Sequence, residues 1–89
     1  MQLNVTIETL QKGKCYVTRC PELDFVSQGR SFEEAKHNLL EVIQIQFDEM
    51  TALGTLEDYL EECGYAQDNG GQISQSEMVG FEKLAIQVG

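Results

Sequence analysis

The chain has 89 residues, with 15 Asp or Glu, 6 Lys or Arg and a formal net charge of −9. That length fits one domain, residues 1–89, with a modest core and a tendency to associate. The acidic balance disfavours binding to a phosphate backbone, because nucleic-acid binders concentrate Lys and Arg; it suits a partner with a basic surface.

A hydrophobic fraction of 42% and a charged fraction of 24% are ordinary globular values and argue against wholesale disorder. The cysteines are Cys15, Cys20 and Cys63. An odd number without C-x-x-C spacing argues against a disulfide framework or a zinc site, and points to a reducing, cytoplasmic setting. Met1 leads into an alternating strand rather than a signal peptide, and no apolar run approaches membrane-spanning length.

Leu3-Asn4-Val5-Thr6-Ile7-Glu8 alternates with period two, which predicts a half-buried first strand with Leu3, Val5 and Ile7 on the core face. Gln11-Lys12-Gly13-Lys14 is read as a turn. Cys15 to Arg19 follows as a second strand at hairpin spacing. Pro21 pushes Cys20 to extended geometry and ends it. Glu22-Leu23-Asp24 is read as a polar corner. Phe25 to Gln28 predicts a third, short strand ended by Gly29.

Ser31 is the expected N-cap of a long helix. Its hydroxyl can accept from the Glu34 amide while the Glu34 carboxylate reaches back, a capping box. Glu33 and Glu34 also complement the positive helix start. The helix is expected to run to about Met50. Phe32, Ala35, Leu39, Ile43, Phe47 and Met50 form its apolar stripe, widened by Leu40 and Val42. Glu34, His37, Asn38, Glu41 and Asp48 fall opposite. Ile45 stands among polar residues and reads as a single exposed apolar side chain.

Leu53-Gly54 ends this pattern, and Thr55 to Asp58 resembles a second, weaker capping box. It would open a short helix from Leu56 to Cys63, closed by Gly64. Tyr65 to Gly80 is expected to be a mobile connection, with a turn signal at Asp68-Asn69-Gly70-Gly71. Phe81 to Val88 alternates again and predicts a closing strand with Leu84, Ile86 and Val88 on one face. It would pair within its own subunit or cross to a neighbour in a homo-oligomer. The fold class is therefore α+β in two layers: a three-stranded antiparallel meander packed by one long helix, then a short helix and a C-terminal strand.

Candidate chemistry is sparse. His37, the only histidine, has Glu34 and Glu41 within one helical turn, but no second imidazole or thiolate at ligand spacing. Glu22, Asp24, Glu33 and Glu34 cluster in sequence around the corner. Convergent carboxylates could hold a divalent cation for phosphodiester cleavage, yet the two helix-start acids already have capping and dipole roles. No phosphate-cradling glycine motif is present. No catalytic, metal or cofactor site is expected, and nothing in the residues argues for an enzyme.

The run Cys20-Pro21-Glu22-Leu23, then Val26-Ser27-Gln28-Gly29, then Ser31-Phe32-Glu33-Glu34-Ala35 resembles HicB-like antitoxin domains from about Leu3 to Met50, and more weakly beyond. The resemblance implies a small domain likened to a partial ribonuclease H fold. It implies a non-catalytic antitoxin that binds a HicA-like toxin, a small basic ribonuclease. Glu22 and Asp24 are the partner-binding residues that the acidic corner suggests. Many family members carry a C-terminal DNA-binding segment. No basic recognition helix follows the last strand here, so no operator binding by this chain alone is expected, and no membrane partner. The alternatives are an orphan structural or regulatory oligomer of the same fold and, more remotely, a metal-dependent nuclease.

Overall fold

In the computed structural model, residues 3–68, 71–74, 79–80 and 82–88 are described. The order is β1 (Glu8–Lys12), β2 (Cys15–Cys20), β3 (Phe25–Gly29), α1 (Phe32–Leu53), α2 (Leu56–Glu62), β4 (Tyr65–Asp68) and β5 (Gly71–Ser74). This is an α+β fold: β1, β2 and β3 form an antiparallel meander, and the two helices follow. Among the described residues no helix is long and apolar enough to cross a membrane.

The first strand begins five residues later than the alternation predicts. Lys12 pairs with Cys15 across Gly13-Lys14, and the ladder runs back to Glu8 opposite Arg19. The turn is therefore two residues long. Gly13 takes φ 61° while Lys14 stays out of the positive region, the pattern of a type II′ hairpin. Leu3, Val5 and Ile7 do pack against the core, so the period of two read their burial correctly. It did not fix the ladder, which the tight turn sets.

The helices cover one face of the sheet. Thr18, fully buried in the central strand, donates to the Ala35 carbonyl of α1 at 2.8 Å. Cys20, Leu23, Leu39, Ile43, Leu60 and Tyr65 make the core cluster. Phe25 stacks on Tyr59 with ring centroids 6.2 Å apart, tying β3 to α2. At Gly29 the sheet and α1 come together. An added Cβ would lie 2.6 Å from the Ala35 nitrogen, so glycine is needed there for space, beyond ending the strand.

Helix α1 begins as expected at Ser31, whose Oγ accepts from the Glu34 N–H at 3.1 Å. The reciprocal bond from Ser31 N–H to the Glu34 carboxylate is absent among the described hydrogen bonds, so half of the capping box forms. The helix continues three residues past Met50. Gly54 at φ 74° then closes it, with Gly54 N–H on Thr51 O and Thr55 N–H on Met50 O, a Schellman motif. This is why the second capping box fails. Thr55 sits at φ −110°, ψ 0° and makes no side-chain cap bond; its N–H already serves the preceding helix. Within the apolar stripe Ala35, Leu39 and Ile43 are buried, but Phe32 and Leu40 are exposed.

Two expectations change beyond α2. The stretch after Gly64 contains a hairpin, β4 with β5, in which Asp68 faces Gly71. The Asn-Gly signal between them is a two-residue hairpin turn signal, and residues 69–70 lie outside the described set. The closing strand is not formed in this chain: residues 82–88 have no regular secondary structure and are all exposed. Phe81 lies outside the described residues. Alternation supplies a strand with one apolar face, but a strand persists only against a paired edge.

Candidate functional site: the Cys20–Asp24 corner

The corner is a four-residue loop joining paired residues Cys20 and Phe25. Leu23 and Asp24 N–H groups both donate to the Cys20 carbonyl, at 3.3 and 2.8 Å. This winds the chain into a tight turn, and Asp24 closes it at φ 60°, a conformation Asp adopts more readily than most residues. The corner is not wholly polar. Leu23 is buried in the core, and its carbonyl accepts from the Tyr59 hydroxyl at 2.6 Å.

Glu22 faces inward along the molecule's flank. Its carboxylate accepts from Thr6 N–H at 3.0 Å and from Thr6 Oγ1 at 2.6 Å, and the Cys20 thiol lies 3.6 Å away. Partial burial alone would raise the Glu22 pKa. The hydrogen bonds from Thr6, from its own backbone and from Cys20 outweigh it and hold the carboxyl below its ordinary range. Burial pushes the Cys20 thiol up, helped by the neighbouring Glu22 charge. Glu22 thus fastens the N-terminal segment to the corner. Tyr65 makes a second tie, its hydroxyl donating to the Asn4 carbonyl at 2.9 Å.

Asp24 is the acid that the corner presents outward: it is exposed, and its carboxylate has no hydrogen bond or ion pair among the described residues. Its charge lies close enough to Tyr59 to add to the burial that raises that phenol's pKa. Glu33 and Glu34 are exposed at the start of α1. The four acids expected around the corner do not converge: among the described residues no group of three His, Cys, Asp or Glu could hold a metal ion. His37 is exposed and lies 3.5 Å from Glu41 on the same helix face.

Sequence reasoning placed Glu22 and Asp24 at the corner but not their division of labour. It missed Thr6, Tyr59 and Tyr65. Their contacts span 16, 36 and 61 residues, and no local pattern encodes such distances. The apolar Leu23 between two acids was the available signal of a buried anchor. Comparison with family models, with curated proteins and with solved structures gives no match.

Proposed function

We propose that this chain is a HicB-like antitoxin that binds a small basic HicA-type ribonuclease and covers its RNA-facing surface, without catalysis. The observation that carries this reading is the motif order, from the CPEL corner through VSQG to S-x-E-E-A, on a chain of net charge −9. Asp24 is the corner carboxylate without a partner among the described residues; Glu22 holds the corner in shape. The outward face of β3 beside it exposes Val26. Such a combination suits a basic partner: apolar contact supplies affinity, while charge sets encounter rate and specificity. On this reading the protein works in the cytoplasm and contacts no nucleic acid or membrane itself.

The test is co-expression with a short basic open reading frame adjacent to the gene. Rescue of growth and co-purification of a complex are expected, and Asp24→Lys should weaken both while the fold is retained. If cells are not rescued and no complex forms, the orphan-module reading replaces this one. RNA cleavage by the purified chain that depends on added divalent metal would instead support the nuclease.

A further inference from the structure

Among the described residues the sheet has an uncovered face and, along β1, an edge whose outward groups have no partner. Because Thr18 points to α1, its neighbours Val17 and Arg19 point the other way. The register places Leu10 beside Val17, and Val26 beside Arg19, on that same outer face. Leu10 is 49% exposed and Val26 60%. No described element lies over them.

The two sheet edges differ. A two-residue hairpin closes on a hydrogen-bonded pair, Lys12 with Cys15, and bonded pairs then alternate along the ladder. Val17 and Arg19 therefore bond toward β1, and Tyr16, Thr18 and Cys20 toward β3. On β3 this turns Val26 and Gln28 outward, and the Gln28 carbonyl is already taken by Asn38 Nδ2 at 2.8 Å. On β1 it turns Thr9 and Gln11 outward, and no hydrogen bond to either is present among the described residues. Among the described residues β1 is the edge with no outward group taken, whereas β3 keeps Val26 open beside the occupied Gln28 carbonyl.

Residues 82–88 carry the complementary feature. Leu84, Ile86 and Val88 are 72%, 81% and 93% exposed and alternate with Ala85 and Gln87. As a strand they would present one apolar face. We propose that residues 82–88 of one copy add as a fourth strand to the β1 edge of a second copy, reciprocally. Leu84, Ile86 and Val88 then extend the uncovered face beside Leu10. Each copy carries both the unpaired segment and the unpaired edge, so a reciprocal exchange closes as a two-fold dimer and leaves neither exposed. The segment holds one Glu and one Lys, Glu82 and Lys83, so it adds no net charge to the strongly acidic partner copy. This inference stands on sheet geometry alone, independently of the antitoxin reading.

Sedimentation velocity on the purified chain at micromolar concentration tests it. A dimer is expected. Ile86→Asp puts a charge in the donated face, and Gln11→Pro removes an N–H turned away from β2. Each should weaken association by about tenfold or more with unchanged far-UV circular dichroism. Ile45→Asp, on the exposed side of α1, should leave the dimer intact. Ile86→Asp alters a residue that is already exposed, so its result stands even if the proline variant fails to fold. A monomeric parent, a dimer that survives Ile86→Asp, or a dimer broken only by Ile45→Asp would overturn the proposal.

Discussion

Three tyrosine and carboxylate contacts turn a short loop into a fixed corner. Tyr59 reaches the Leu23 carbonyl across the core at 2.6 Å, so Tyr59→Phe should cost about 1–2 kcal/mol by leaving that carbonyl without its partner; urea denaturation measures it. At the helix start only the Ser31 hydroxyl acts as a cap. Ser31→Ala should lose about 1 kcal/mol, and Glu34→Ala clearly less; equal losses would mean that the reciprocal bond forms in solution. Glu22 gives a pH signature. Its carboxyl is held below the ordinary value by the Thr6 bonds, so the ionised form is favoured in the folded state. The stability it contributes is complete above its unfolded pKa, near 4.5, and is lost as pH falls through the lower folded value. Glu22→Gln should therefore destabilise the protein at pH 7, and its difference from the parent should shrink as pH falls below about 4.5. A difference that is constant with pH would show that the charge plays no part.

At the scale of elements, the strongest local signals were the most legible. The β2 and β3 strands, the Ser31 start and the Gly64 end were readable because proline, serine and glycine punctuate them directly. The Leu39 and Ile43 stripe was readable because its period survives over several turns. Reading failed where a neighbour decides the outcome. The five-residue shift of β1 came from the turn at Gly13-Lys14, the loss of the Thr55 cap from the end of α1, and the unpaired C-terminal segment from alternation alone, which does not place a strand against an edge. The Tyr65–Ser74 hairpin was announced by Asn-Gly, and treating the stretch as connection overlooked the strand residues flanking it. Of the corner, the place between β2 and β3 was legible and the inward role of Glu22 was not. The packing makes its own prediction at the sheet–helix junction. Leu39→Ala, at a fully buried site, should cost about 2–5 kcal/mol through the cavity it leaves. Gly29→Ala should cost about 1–3 kcal/mol by overpacking, because its Cβ meets backbone of the first turn of α1, which cannot swing aside. A neutral Gly29→Ala in thermal unfolding would mean that β3 and α1 sit farther apart in solution.

On the scale of the whole molecule, charge acts with opposite sign on folding and on the proposed binding. The chain carries nine more acidic than basic groups, and among the described residues the one ion pair between Lys or Arg and a carboxylate is Arg19 with Glu8 at 2.7 Å. Self-repulsion among the remaining carboxylates weakens the compact state at low ionic strength. Raising salt toward about 0.15 M shortens the screening length to about 8 Å, so the urea midpoint of the isolated protein should rise. The same screening weakens long-range attraction to a basic partner. Association with the candidate toxin should then slow with salt, while dissociation, set by short-range apolar contacts, changes little. Asp24→Asn should reproduce part of that slowing at low salt and lose its effect at high salt, since its carboxylate is exposed and unpaired among the described residues. Stopped-flow binding measures both rates. An association rate indifferent to salt, with a dissociation rate that climbs instead, would place the charges inside the contact rather than in the approach, and would remove the reason for linking the acidity of this chain to its partner's basic surface.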